Sequence, residues 1–411
     1  MKEVYYNFFY VFIEIKLLIY LNMSLKMPFI IYIFTITAFA LGLAEFVPIG
    51  ITDVMAKSLG VDVEKIGSLV TAYALGATFS APIVTLLTNG WSRKKVMLMT
   101  TVIFTLGSLI TALTTNLTLM IIARFIAGMG HGLFLAVAAS TAAKLAGHGR
   151  EGRAVAIVFG GFTIAMAIGV PFSTYLGSII DWHLALLLIA IFGAFGFLGL
   201  FIGMKDPLIT DLDQKYSIKQ GLLSLLNSKL IYGALVTVFA FSGSFVAYTY
   251  IASMLIEVTE VNVTSIPVYT LLFGIFAAIG NMLGGKITDA VGTNKANIVI
   301  IVGIALSTLS MWLFIHSAVM MLILVSLLGL FTFGSVPTLQ ARLMEIAKKH
   351  APNSDSIASG LNIAGFNFAI ALGSTLGALT ISHVGLIYTG ITGACLAIIG
   401  LVILMVQIKK N

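Results

Sequence analysis

Three ionisable side chains, Glu45, Arg124 and His131, stand in stretches that are otherwise almost wholly apolar. A carboxylate inside such a stretch is costly unless it is paired, protonated or turned toward water. Burial and a neighbouring cation act on its proton affinity in opposite senses, so a movement that separates the two can load or release a proton. His131 follows Arg124 by seven residues, two turns along the same helix face, and imidazole ordinarily titrates near neutrality. Three structural alternatives stand beside this chemistry. Glu45 can be half of a static ion pair or can snorkel to a surface, Arg124 can clamp backbone carbonyls, and His131 can be a neutral, hydrogen-bonded packing residue.

The elements that hold these residues follow from composition. Of 411 residues, 59% are hydrophobic and 9% charged, with a mean hydropathy of +1.07. Soluble domains carry roughly a quarter charged residues, so a soluble protein is excluded. Only helices and closed barrels satisfy their backbone in lipid, and these uninterrupted runs suit helices rather than short alternating strands. Apolar runs predict spans near 29–50, 66–88, 96–115, 118–144, 154–179 and 184–204. After a polar stretch, six more follow near 230–256, 266–288, 296–316, 318–341, 355–381 and 384–407. The expected class is an all-α membrane protein of twelve transmembrane helices.

The net charge of +7 is a topology signal. With both termini cytoplasmic, 20 of the 23 Lys and Arg residues fall on one side, including Arg93, Lys94, Lys95, Arg150, Lys286, Arg342 and Lys349. Lys57 and Lys65 fall on the other side and Arg124 lies within a span, so nucleic-acid binding has no motive. The division expected is an N-terminal extension over 1–27, a first bundle over 28–204, a cytoplasmic linker over 205–229 and a second bundle over 230–411. The extension reads as an upstream-start artefact or as an interfacial helix. One cysteine, Cys395, leaves no partner for an internal disulfide.

The halves are related. Gly161-Phe162-Thr163-Ile164-Ala165-Met166-Ala167-Ile168-Gly169 in the fifth span matches Gly365-Phe366-Asn367-Phe368-Ala369-Ile370-Ala371-Leu372-Gly373 in the eleventh, as parallel repeats of six spans would. With Ala44-Glu45-Phe46 closing the first span, the Arg124-Phe125-Ile126-Ala127-Gly128-Met129-Gly130-His131-Gly132 run in the fourth, and Gly161, Gly169, Val170, Pro171 and Gly177 in the fifth, the chain resembles the major facilitator superfamily. Within it the likeness is to the twelve-span drug/proton antiporter group, which includes arabinose-efflux-like and purine-efflux-like proteins. The resemblance runs from about Pro28 and implies two pseudo-symmetric six-helix bundles rocking about a central site. One family signature is altered: in the loop after the second span Thr85 stands for the usual Gly and Asn89 for the Asp, whereas Gly285-Lys286-Ile287-Thr288-Asp289 keeps the pattern in the second half. Gating contacts are therefore expected to rest on Asp289 and on the surviving basic Arg93.

By analogy with that fold, spans one, four, seven and ten border the cavity. Substrate-contact candidates are Phe46, Phe134, Phe241, Phe245 and Tyr248, with Gln340, Asn362 and Asn367 as polar partners. Each aromatic has core packing or lipid exposure as its alternative. Gly128 and Gly132 permit close helix approach, and Gly169 with Pro171 permits a bend that is either a hinge or a static kink. Other apparent motifs fail: Gly280 to Lys286 has phosphate-loop spacing, but Ile287 takes the Ser/Thr place and a span precedes it. Metal-ligand spacing and a Ser/His/Asp set are absent from the sequence, so no cofactor and no enzymatic activity are expected. The expected function is a plasma-membrane secondary transporter, monomeric and bacterial, exporting a drug, purine or nucleoside, sugar or metallophore by proton antiport. Import by symport or uniport, and a non-transporting receptor or scaffold, are the alternatives.

Overall fold

A computed structural model describes residues 27–88, 91–147, 150–204, 227–350 and 355–410. The expected N-terminal extension, most of the linker and Asn89 lie outside the described residues. Twelve long helices carry the architecture, and no strand occurs among the described residues. They are α1 (Phe29–Gly50), α2 (Val63–Leu87), α3 (Arg93–Leu113), α4 (Leu117–Ala146), α5 (Glu151–Ile164, continuing through a π-helical turn to Ile179), α6 (Trp182–Gly203), α7 (Ser228–Tyr248), α8 (Ile266–Val291), α9 (Thr293–Leu313), α10 (Ala318–His350), α11 (Asp355–His383) and α12 (Thr389–Lys410). Among the described residues, eleven are long and apolar enough to cross a membrane. The remaining helix, α2, is 25 residues long and carries its two charged residues, Glu64 and Lys65, in its first turn. The predicted spans fall on these helices, although α4 and α10 run longer than expected, to Ala146 and His350.

Burial sorts the helices into layers. The apolar windows of α1 and α7 are each 78% buried and that of α12 only 33%, so the first helix of each half is central and the last is peripheral. The peripheral surface carries Ile168, Phe172, Phe195, Ile202, Leu306 and Val402, a belt of exposed apolar side chains that needs lipid around it.

Lipid supplies little hydrophobic drive between helices, so close approach rests on small residues. A Cβ at Gly128 or Gly132 of α4 would run into the carbonyls of Tyr73 or Ala77 on α2. In the second half, Gly280 and Gly284 of α8 meet the carbonyls of Leu330 and Gly334 on α10 in the same way. The internal repeat is equally physical: Gly161 and Gly169 seat α5 on α1, and Gly365 and Gly373 seat α11 on α7. The phosphate-loop spacing at Gly280 is thus helix packing.

The bend predicted at Gly169 and Pro171 is a π-helical turn, Ala165–Gly169. Pro171 has no N–H to give the carbonyl four residues earlier, and Val170 N–H instead donates to the Ala165 carbonyl. Gly274 of α8 packs on the Met166 carbonyl in this turn, so the halves touch where α5 is irregular.

Gly284→Val should break the α8–α10 contact and lower the melting temperature of the purified protein, since overpacking costs about 1–3 kcal/mol. Gly285→Ala, where an added Cβ meets nothing within 4 Å, should hold or raise it. Thermal unfolding of the two variants side by side checks both signs.

Candidate functional site

The end of α1 and the middle of α4 place the three ionisable residues together, all buried. One structural alternative makes Glu45 half of a static ion pair, with Arg124 as the cation within the spans. The two lie near enough for their charges to act on each other, yet without direct contact. Arg124 Nε donates to the Leu69 carbonyl of α2 (3.2 Å), and its guanidinium lies over the Tyr73 ring at 4.0 Å from the centroid. No ion pair joins it to Glu45 among the described residues; the basic group that reaches the carboxylate is His131, Nδ1 to Oε2 3.8 Å. That separation exceeds a hydrogen bond. Arg124 takes the carbonyl-clamp role because Gly128 and Gly132 draw the α2 backbone against α4, within reach of the guanidinium.

Three buried polar atoms around Glu45 have no hydrogen-bond partner among the described residues: Arg124 Nη2, His131 Nδ1 and Tyr73 Oη. The Nδ1 side of His131 thus makes no packing hydrogen bond among the described residues. The pocket offers a donor from Arg124, a donor or acceptor from each of His131 and Tyr73, and a carboxylate that no cation neutralises by direct contact.

Beside it lies an aromatic cluster that crosses between the halves. The His131 ring sits 6.1 Å from Phe162, which packs edge-on to Phe46 at 5.8 Å. Phe46 in turn meets Phe245 of α7 (6.3 Å) and Phe333 of α10 (5.9 Å). Phe241 joins Phe245, Phe333 and Phe366. Tyr248 stacks on Phe273 at 3.7 Å, and Phe134 pairs with Phe34 inside the first half. The aromatic candidates are all buried, and Phe46, Phe241, Phe245 and Tyr248 form one connected set of rings.

Past Phe241 and Phe366 the site turns polar without charge. Thr237 Oγ1 donates to Asn362 Oδ1 (2.7 Å), Asn362 Nδ2 to Gln340 Oε1 (2.8 Å), and Gln340 Nε2 to Ser359 Oγ (3.1 Å). Asn367 bonds the Ile363 carbonyl through Nδ2, and its Oδ1 is unpaired among the described residues. Where the first half sets His131 and Glu45 between α4 and α1, the second sets a Thr332 to Ser244 hydroxyl bond (2.7 Å) between α10 and α7.

The gating candidates lie elsewhere. Arg93 at the start of α3 donates to Ser140 Oγ (2.6 Å) and Thr141 Oγ1 (3.2 Å) of α4, a contact within one half. Asp289 is exposed near the end of α8.

Sequence reasoning missed Tyr73, Phe162, Phe333, Phe273 and Phe366. For Tyr73 a signal existed, because a tyrosine inside a span must find a use for its hydroxyl. The phenylalanines carry none, since a buried and a lipid-facing ring look alike in sequence.

A family profile described as Major Facilitator Superfamily matches residues 33–356. The chain is 34% identical over 370 residues to the uncharacterized MFS-type transporter YtbD of Bacillus subtilis, covering 90% of this chain and 92% of that one. It is 24% identical to a probable sugar efflux transporter of Helicobacter pylori, covering 90% and 93%. Among solved structures, a point mutant of the nucleoside transporter NupG superposes with a TM-score of 0.75 at 14% identity, covering 92% and 98%. A D-xylose-proton symporter gives 0.71 at 15%, covering 91% and 96%. At that identity the two structures speak to the fold alone.

Arg124→Lys keeps the charge but loses the planar stack and the Nε bond, and should destabilise the protein by roughly 1–3 kcal/mol. Tyr73→Leu should cost a similar amount and Tyr73→Phe very little, because the lost hydroxyl has no protein partner among the described residues. Melting temperatures in detergent or nanodiscs separate the three.

Proposed function

The chain belongs to the major facilitator superfamily and is therefore a membrane transporter of small molecules, not an enzyme; from there, we propose that it exports an amphipathic organic solute in exchange for protons. In this reading the basic loops and both termini face the cytoplasm of a bacterial cell. The observation that carries it is the buried Glu45 carboxylate, with His131 at 3.8 Å and Arg124 close by but engaged on Leu69 and Tyr73. Such a group can hold a proton through one half of the cycle and lose it when the helices around it move.

The solute class follows from the neighbours of Glu45. The aromatic cluster suits a flat apolar body, and the Thr237, Asn362, Gln340 and Ser359 network suits neutral donors and acceptors at its end. The carboxylate favours neutral or cationic solutes over anions. Drugs, nucleosides and sugar analogues fit this description. Export is supported by the antiporter-type fifth span and by the efflux name carried by the Helicobacter pylori relative. Import by proton symport on the same fold is the rival, since fold does not set direction.

The test begins with compounds retained by cells lacking the gene, followed by transport of the retained compound in vesicles with a pH gradient of either sign. A 100 mV proton driving force is worth about 2.3 kcal/mol per charge, roughly a 50-fold concentration ratio. Glu45→Gln should lose that accumulation while still exchanging labelled for unlabelled solute. Full gradient-driven efflux in this variant removes Glu45 from the mechanism, and accumulation only under the reversed gradient establishes import.

A further inference from the structure

The halves close on each other at the face opposite the basic loops, and one ring is buried where they meet. Tyr250, two residues past α7, is fully buried. Its hydroxyl donates to the Ser374 carbonyl of α11 (2.9 Å), and Ser374 Oγ donates to the Gly67 carbonyl of α2 (2.9 Å). A polar chain thus runs from the second half into the first. The ring is held between two glycines. A Cβ at Gly67 would collide with the Tyr250 hydroxyl and lie 2.5 Å from its Cζ, and one at Gly377 would lie 2.6 Å from its Cε2. One turn further toward the basic face, the Thr71 and Thr375 hydroxyls meet across the halves at 3.4 Å.

Gly67 sits in the first turns of a regular helix and has no positive φ, so backbone conformation gives it no purpose. Glycine in a helix interior costs about 1 kcal/mol relative to alanine. What it provides here is the space that Tyr250 occupies. The ring belongs to the second half and the notch to the first, so the fit exists only while this face is shut.

We propose that Tyr250 and the Gly67 notch form the latch that seals the transporter on the face opposite its basic loops. The latch requires that the two halves rock. It does not depend on the direction of transport, on the coupled ion or on Glu45, so it stands or falls separately from the antiport reading.

The experiment needs no substrate. In a Cys395→Ser background, Ala74→Cys places a buried reporter two turns deeper on the face of α2 that carries Gly67, and a membrane-impermeant maleimide is applied from the sealed face. The parent should label slowly. Gly67→Val should label about tenfold faster or more, because overpacking at the notch holds the face open. Adding Tyr250→Ala to Gly67→Val should return labelling toward the parent rate, since the valine then fills the space the ring leaves. Tyr250→Ala alone, which empties the notch, should raise labelling roughly fivefold or more, and carries the test if Gly67→Val does not fold. Parent-like labelling in a folded Gly67→Val protein overturns the latch, as does parent-like labelling in Tyr250→Ala.

Discussion

The close approach of α2 to α4 is the constraint on which the candidate site depends. Gly128 and Gly132 leave no Cβ between the helices, so the carbonyls of Tyr73 and Ala77 rest directly on α4. At that spacing the Leu69 carbonyl and the Tyr73 ring come within reach of Arg124 and take up its guanidinium. A guanidinium offers a fixed fork of donors and a flat face; its Nε and its face are engaged on α2, while Nη2 stays without a partner among the described residues. Glu45, on α1, keeps this cation as a near neighbour and His131 as the basic group at shortest range, without a hydrogen bond to either. The glycines thus set where the cation stands relative to the carboxylate.

The two halves share this packing but not its chemistry. In the second half, Gly280 and Gly284 bring α8 onto α10 as Gly128 and Gly132 bring α4 onto α2. Yet the side chains behind that contact are hydroxyls and amides, with Thr332 on Ser244 and Asn362 between Thr237 and Gln340. Neutral groups do not change charge as the halves move, so they suit recognition, whereas the first half holds the groups that can titrate. The rings of Phe46, Phe245 and Phe333 lie where the two kinds of chemistry meet.

Much of the fold could be read directly, because lipid imposes a simple rule on the chain. Long apolar runs must be helices, and basic residues mark one set of loops. The Gly161–Gly169 and Gly365–Gly373 likeness was legible for the same reason, since glycines in spans mark contacts and equivalent helices make equivalent contacts. The residues of the site were legible as types but not as partners. Glu45 and Arg124 could be picked out as charges within apolar stretches, yet rotation about the helix axis and the presence of a nearby tyrosine decide which group is touched. The aromatic network was hidden more deeply, because a chain with 28 phenylalanines gives no ring a distinctive spacing.

The interface between the halves combines two kinds of contact that respond differently to motion. At its centre the contacts are ring against ring and Gly274 against the irregular turn of α5. Dispersion between rings is weakly directional and survives sliding by repacking, and a π-helical turn already departs from the rigid ladder of an α-helix. Nearer the sealed face the contacts are the Ser374 to Gly67 and Thr71 to Thr375 hydrogen bonds and a ring in a glycine notch, which fit in one arrangement and are lost over a short displacement. A rocking motion moves the edge of the interface further than its centre. Under the proposed rocking, directional contacts at the edge would therefore define when the face is shut, while the adaptable contacts at the centre would keep the halves together as it opens.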